Sequence, residues 1–253
     1  MLQRTLLSSI WYNQHVPAKN VLKSYIENGH YHIYNRGVEK RTIFQDAQDY
    51  KVFLNYLKVY LSPPTQPENR NVIIKNKTFK TYTRPLNNYH QQLELLAFCL
   101  MPNHFHLLVR QNKNRIIESF MRSLSTKYSV YFNKRYDRVG PLFQGPYKAV
   151  LVENDNQLLH LSRYIHLNPV TTKDSPLRIS YSSYADYLER KQTLWLKTEP
   201  ILSFFKTAQK TKLRDMLSYQ SFVEDYNHNP KETLEDMTLD KFASTKPTKE
   251  SPL

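Results

Sequence analysis

Two apolar runs joined by a tight turn constrain the fold of this chain more than any other feature. Residues 92–101 read QLELLAFCLM, and residues 104–110 read HFHLLVR. Pro102 and Asn103 lie between the runs and are residue types typical of turns. The pattern predicts a β-hairpin built from two largely buried strands.

The segments before and after this hairpin predict further strands and helices in a definite order. The sequence predicts strands near 30–36 and within 139–152, and helices over 46–61, 114–138 and 155–169. The order is strand, helix, hairpin, helix, strand, helix, which is the split βαβ pattern. It predicts an α+β fold with a ferredoxin-like or RRM-like antiparallel sheet, helices on one face, and a C-terminal helical appendage.

Changes in composition divide the chain into a central domain and less regular parts. We expect a lead-in at residues 1–24 and the main domain at 25–175. Residues 62–90 are rich in Pro, Asn and Lys and predict a surface insertion with at most a short hairpin in its middle. Residues 176–228 predict the helical appendage, and the polar segment 229–253 predicts a disordered tail.

The charge balance favours a polyanionic partner. The 253 residues include 36 Lys and Arg against 22 Asp and Glu, a formal net charge of +14. Nucleic acid is the usual partner of so basic a protein, although a basic surface also serves solubility, and charge alone leaves both interpretations open. Two basic groups are candidate phosphate contacts: Arg36, Lys40 and Arg41 after the first strand, and Lys127, Lys134 and Arg135 on the long helix.

Cysteine use and hydropathy indicate the compartment. Cys99 is the only cysteine, so one chain can form neither a disulfide framework nor a cysteine-based zinc site. No apolar stretch has the length of a membrane span, and the first residues lack the long apolar region of a secretion signal. We therefore expect a cytoplasmic protein without a membrane partner.

Two histidines on the second hairpin strand raise a question about chemistry. Side chains two apart on a strand share a face, so His104 and His106 face together while Phe105 faces the other way, into a core. Two neutral imidazoles so placed can share one metal ion. Alternatively, they are polar residues on a half-exposed strand, and spacing alone does not choose.

The helix over 155–169 offers partners for these histidines. Tyr164 and Asn168 are four residues apart and share a helical face, which His160 extends by a turn. A neutral Asn oxygen can ligate a hard cation, and a phenol beside that cation can attack a phosphate. The alternative is that Tyr164 packs the helix on the sheet and Asn168 caps its end before Pro169.

Three further tyrosines are rival nucleophiles on the long basic helix. Tyr128, Tyr131 and Tyr136 lie among lysines and arginines. We favour the interpretation that these rings pack on the sheet while Lys127, Lys134 and Arg135 face the solvent and contact phosphates. None of the three tyrosines has an Asn four residues later, as Tyr164 has.

Several motifs together resemble a known family. MPNHFHLLV and YIHLNPV are similar to the motifs of single-tyrosine HUH transposases, and most closely to those of the IS200-like, REP-associated tyrosine transposases of bacteria. YHIYNRG, GPLFQGPYKAVLV and YSSYADYL also resemble segments of that family. These motifs occur in the family's order, across roughly residues 29–190.

The resemblance implies a function and a role for each residue. It implies cleavage and rejoining of single-stranded DNA, with hairpin DNA as the partner and Mg²⁺ or Mn²⁺ as the Lewis acid. Tyr164 matches the nucleophile, which joins to a 5′ phosphate and leaves a free 3′-OH. His104, His106 and Asn168 match the metal ligands.

The chain also departs from the family pattern. Pro146 stands where the family often has Arg, so a phosphate contact is either lost or moved to Lys148. Two other functions remain open: a DNA-binding repressor or structural factor without cleavage, and a metal-dependent nuclease without a covalent intermediate. The sequence does not choose between a monomer and a homodimer.

Overall fold

A computed structural model describes most of the predicted domain. It covers residues 24–65, 69–74, 77–82, 86–168, 181–211 and 218–225. Nearly all of the predicted lead-in and the whole predicted tail lie outside these residues.

The described elements follow the predicted order closely. The strands are β1 (His30–Arg36), β2 (Asn69–Ile74), β3 (Lys77–Tyr82), β4 (Leu93–Met101), β5 (His104–Gln111) and β6 (Lys148–Val152). The helices are α1 (Ala47–Leu61), α2 (Ile116–Arg135), α3 (Asp155–Leu167), α4 (Tyr184–Tyr187), α5 (Glu199–Thr211) and α6 (Tyr219–Glu224), with a 3₁₀ turn at Val38–Lys40.

The main sheet has four strands in the order β4-β5-β1-β6, and all neighbours are antiparallel. β4 and β5 form the predicted hairpin, since Met101 pairs with His104 across a two-residue turn. β1 lies between β5 and β6, as the split βαβ pattern requires. The predicted α+β, ferredoxin-like fold is confirmed.

One face of the sheet is covered by α1 and α2. Asp46 caps α1 as predicted, because its carboxylate accepts hydrogen bonds from the backbone amides of Gln48 and Asp49. The core beneath these helices includes Phe105, whose ring lies 5.3 Å from that of Phe53 between centroids. Phe105 therefore faces a core, as the alternation of the strand predicts.

The other face of the sheet is covered by α3 and the C-terminal helices, so the prediction of helices on one face only is wrong. The physical reason is that β4 and β5 carry apolar side chains on both faces. Leu108 of β5 packs there with Leu161 and Ile165 of α3. Phe222 of α6 and Phe205 of α5 belong to the same core. The described helices of segment 176–228 thus pack against α3, which in turn packs on the sheet.

Backbone hydrogen bonds fix the turn that precedes the two histidines. The Gly37 amide donates to the carbonyl oxygen of Asn103 (2.8 Å), and the Ile43 amide donates to that of Pro102 (2.7 Å). A Cβ atom on Gly37 would lie 2.3 Å from the carbonyl oxygen of Arg41, so only glycine fits this crossing. The loop after β1 therefore holds the turn in place through these two backbone hydrogen bonds.

The predicted insertion contains a second, separate hairpin. β2 and β3 pair antiparallel, from Asn69 opposite Tyr82 to Ile74 opposite Lys77. The short hairpin expected in the middle of residues 62–90 is thus present.

Candidate active site

The two histidines of β5 lie side by side on the α3 face of the sheet. Their ring centroids are 5.0 Å apart, and the ring planes are nearly perpendicular. His106 is fully buried and His104 is half-buried. The period-two alternation of the strand therefore places both imidazoles together, as expected.

His106 is held through one nitrogen only. Its Nδ1 lies 2.9 Å from Nε2 of His32 on the neighbouring strand β1. Its Nε2 is buried and has no hydrogen-bond partner among the described residues. Burial lowers the pKa of His106 well below its usual value, and the nearby His104 and His32 lower it further. The imidazole is therefore neutral at physiological pH, which is the form that can bind a metal.

His104 is engaged through the same ring position. Its Nδ1 lies 2.6 Å from Oδ1 of Asn103, the second residue of the turn. An amide oxygen can only accept, so Nδ1 carries the proton. In the neutral imidazole Nε2 then carries the lone pair, which is the nitrogen that a cation would use.

Tyr164 of α3 packs against His106. Its ring lies edge-on to His106, with centroids 5.4 Å apart and an 84° angle between planes. It also lies edge-on to His32 at 6.1 Å. The side chain is 7% exposed. The structure thus brings the predicted nucleophile next to His106, one of the predicted metal ligands.

Asn168 caps the C-terminus of α3. Its backbone amide and its side-chain Nδ2 both donate to the carbonyl oxygen of Tyr164, at 3.2 and 2.9 Å. The capping role that the spacing left open is therefore present. The cap uses Nδ2, and Oδ1 is the atom through which an amide can ligate a cation.

The donor set fits a divalent cation. Both histidines engage Nδ1, and the buried Nε2 of His106 has no partner in the described part of the chain. No group of three or more His, Cys, Asp and Glu side chains suited to a metal occurs among the described residues. The predicted third ligand, Asn168, is of another type.

His160 has a different role from the one its spacing suggested. It lies one turn before Tyr164, but its Nδ1 is hydrogen-bonded to the guanidinium of Arg163. Its ring packs 6.1 Å from that of Phe222. It therefore contacts α6 rather than the histidine pair.

The rival tyrosines lie on the opposite face of the sheet and are engaged there. The Tyr128 hydroxyl donates to the carbonyl oxygen of Ile43. The hydroxyls of Tyr131 and Tyr136 donate to the two carboxylate oxygens of buried Asp49, at 2.9 and 2.8 Å. Burial raises the pKa of all three phenols. This placement agrees with the packing role that we favoured.

Two predicted DNA contacts lie on the same sheet face as the histidines. Arg36 pairs with His104 across β1 and β5, and its Nε donates to Oε1 of Gln144. Lys148 lies opposite Tyr34 at the start of β6. Lys40 and Arg41 follow in the loop beside the turn, where Arg41 forms an exposed ion pair with Glu39. These cations surround the end of the sheet that carries His104.

The basic residues of α2 are on the other side of the sheet. Lys127 and Lys134 are exposed there. Arg135 binds Asp46 and the fully buried Asp49, with nitrogen–oxygen distances of 2.5 and 2.6 Å. The prediction that Arg135 faces the solvent is wrong, because its guanidinium turns inward to pair with the buried carboxylate of Asp49. Its contact with DNA stays a prediction.

Sequence reasoning missed His32 and the polar network behind α3. Tyr219 of α6 donates to Ser162 (3.0 Å) and lies 2.7 Å from Nδ1 of His166, whose Nε2 lies 2.7 Å from Ser183. Burial lowers the pKa of His166 to about 3. The available signal for His32 was its position in the motif YHIYNRG, in phase with the face that carries His106.

Comparison with protein families tests the resemblance. Residues 65–168 match the model of the family described as transposase IS200-like. Over this stretch the chain is similar to the IS200-like transposases. The match contains all four residues of the predicted catalytic set and ends at Asn168, while β1 with His32 precedes it. The predicted family resemblance is confirmed.

Solved structures of transposases are also similar to the chain. One is a REP-associated tyrosine transposase bound to a REP hairpin, with 15% identity, a TM-score of 0.44, and coverage of 67% of this chain and 84% of that chain. Another is a candidate transposase from Deinococcus radiodurans R1, with 14% identity, a TM-score of 0.33, and coverage of 59% and 95%. No curated protein sequence matches the chain. Among the described residues, no helix is both long and apolar enough to cross a bilayer.

Proposed function

We propose that the chain is a metal-dependent transposase of the single-tyrosine HUH type that cuts and rejoins single-stranded DNA. The observation that carries this proposal is the packing of Tyr164 against His106, at 5.4 Å between ring centroids. A nucleophile beside two candidate imidazole ligands is the arrangement that phosphoryl transfer needs. The family match over residues 65–168 supports the same reaction class.

The chemistry assigned to Tyr164 is an exchange of phosphate esters. The phenol oxygen bonds to phosphorus, and the bond from phosphorus to the 3′ oxygen of the preceding nucleotide breaks. The proton lost by the phenol is balanced by the proton gained on the released 3′-OH. Rejoining is the reverse step with a 3′-OH from another strand end. Since no water is consumed, the energy of the ester bond is conserved for rejoining.

His104, His106 and Asn168 are proposed to hold the cation. Bound Mg²⁺ or Mn²⁺ would act as a Lewis acid on the scissile phosphate. The protein's part is to orient the phenol. Helix α3 would do this because Asn168 lies one turn after Tyr164 and caps the end of the helix. A phenol near its usual pKa of about 10 is a weak nucleophile, so orientation beside the cation is the main contribution of the fold.

Hairpin DNA with a single-stranded flank is the proposed substrate. The net charge of +14 and the cations around the His104 end of the sheet support a polyanionic ligand there. The buried thiol of Cys99, unpaired in the structure, fits a reducing compartment, and we propose the cytoplasm.

A covalent adduct tests this proposal. The full chain is incubated with a single-stranded hairpin oligonucleotide and Mn²⁺, and the products are separated under denaturing conditions. Because Tyr164 would join to the 5′ phosphate, a label at the 3′ end of the DNA should migrate with the protein, and a 5′ label should remain on a shorter free strand. Peptide mapping should place the DNA on Tyr164.

Matched phenylalanine variants identify the nucleophile. Tyr164→Phe removes one oxygen and little volume, so it should keep the fold and DNA binding while losing the adduct and the cleaved strand. Tyr131→Phe, in a tyrosine bound to Asp49, should keep the adduct. Cleavage by Tyr164→Phe would refute the assignment. Cleavage by the wild type without an adduct would indicate a hydrolytic nuclease, and binding without cleavage would indicate a DNA-binding factor.

A further inference from the structure

His32 makes a contact that the proposed chemistry does not yet use. Its Nε2 lies 2.9 Å from Nδ1 of His106, and the two rings stack with centroids 5.1 Å apart and planes 19° from parallel. Both side chains are fully buried. Two buried imidazole nitrogens at this distance must share one proton, because two lone pairs or two N–H groups would repel each other.

The position of the shared proton follows from the other nitrogen of His106. Nε2 of His106 is buried, has no partner among the described residues, and belongs to the ring that packs against Tyr164. To bind a cation, Nε2 must carry the lone pair, which puts the proton of the neutral ring on Nδ1. Nδ1–H then donates to Nε2 of His32, so His32 is neutral and carries its own proton on Nδ1.

We propose that His32 is a positioning residue of the metal site, which accepts the Nδ1 proton of His106 and thereby presents Nε2 to the cation. Asn103 has the parallel role for His104, through its Oδ1 at 2.6 Å. Hydrogen bonds of this kind fix both the tautomer and the orientation of a metal-bound imidazole. The inference rests on the proposed function, since it takes His106 as a ligand.

Binding of Mn²⁺ to the DNA-free full chain tests the role of His32. The affinity is measured by electron paramagnetic resonance for the wild type, His106→Ala, His32→Phe and His32→Gln. Phenylalanine retains the ring packing and removes the acceptor, so His32→Phe should bind Mn²⁺ about 10- to 100-fold more weakly. Glutamine can place an amide oxygen near the former Nε2, so His32→Gln should recover most of the affinity.

The outcomes separate the two proposals. If His106→Ala loses Mn²⁺ but His32→Phe binds like the wild type, the role of His32 is refuted and the proposed function stands. If His32→Gln binds as weakly as His32→Phe, restoring an acceptor at this position does not restore the site, and the inference is wrong. If His106→Ala binds like the wild type, the metal site itself is wrong.

A measurement on the wild type keeps the inference testable even if both His32 variants fail to fold. Nitrogen-15 NMR of the imidazole of His106, assigned by its absence in His106→Ala, distinguishes the two neutral tautomers. We expect the proton on Nδ1. A proton on Nε2 would overturn the role of His32.

Discussion

At the scale of single residues, the candidate site depends on which ring nitrogen of each histidine is hydrogen-bonded to the protein. His106 and His104 both engage Nδ1, with His32 and Asn103 respectively. Each partner comes from outside the HFH triplet: one from a neighbouring strand and one from the turn. The two candidate ligands are thus oriented independently, so removing one should not misplace the other.

Loss of His104 should separate chemistry from binding. His104→Ala is expected to lower the cleavage rate at least about a hundredfold, because Lewis-acid catalysis contributes several kcal/mol and each 1.4 kcal/mol is a factor of ten. Hairpin binding, which depends on many phosphate contacts, should change little. Cleavage kinetics and a binding titration on the same oligonucleotide check both. A parallel loss of binding and cleavage would contradict the separation.

At the scale of elements, the sheet separates the histidine site from α1 and α2. The hydroxyls of Tyr131 and Tyr136 and the guanidinium of Arg135 all converge on Asp49, a fully buried carboxylate of α1. A buried carboxylate needs such partners, since an unpaired one is costly to desolvate. These groups of α2 therefore hold the two helices together, on the side away from Tyr164.

Replacing Arg135 should destabilise the protein, whereas replacing its neighbour should not. Arg135→Ala removes charged hydrogen bonds to Asp49 and should lower the free energy of unfolding measurably. Lys134→Ala, at an exposed position, should change it by less than about 0.5 kcal/mol. Urea unfolding of both variants gives the comparison. Equal stabilities would mean that the ion pair contributes nothing.

The elements also show what could be predicted from sequence and what could not. The pairing of His104 with His106, and of Tyr164 with Asn168, follows from the local repeat of a strand and of a helix. The contact of His32 with His106 spans 74 positions and depends on the register between β1 and β5. The same holds for Arg135, whose partners lie 86 and 89 positions away. Periodicity places a side chain on a face but does not say what the fold brings opposite it.

At the scale of the whole molecule, the positive charge lies on both sides of the sheet. Arg36 and Lys148 lie on the histidine face, and exposed Lys127 and Lys134 lie on the helix face. A hairpin that contacts both groups would have to pass around an edge of the sheet. One that binds only at the active site would use the first pair.

The salt dependence of binding distinguishes these two paths. Each phosphate contact to a single strand contributes about −0.7 to the slope of log affinity against log salt. Arg36→Ala and Lys148→Ala should each reduce the steepness by about that amount, and Lys127→Ala and Lys134→Ala should do so only if the DNA also reaches α2. Lys51→Ala, at an exposed position of α1 outside both groups, is the control. If the affinity of the wild type did not depend on salt, the net charge would serve solubility rather than DNA binding.

The buried polar network behind α3 bears on which part would move during the proposed strand transfer. The helix that carries Tyr164 is held from outside by Tyr219 and Ser183 through His166, and from inside by the sheet. Swinging it away would break these hydrogen bonds, and each partner that stays buried and unsatisfied would cost about 1–3 kcal/mol. A DNA end joined to Tyr164 would therefore be attached to a helix that keeps its position. The incoming strand, rather than the helix, would have to travel to complete the exchange.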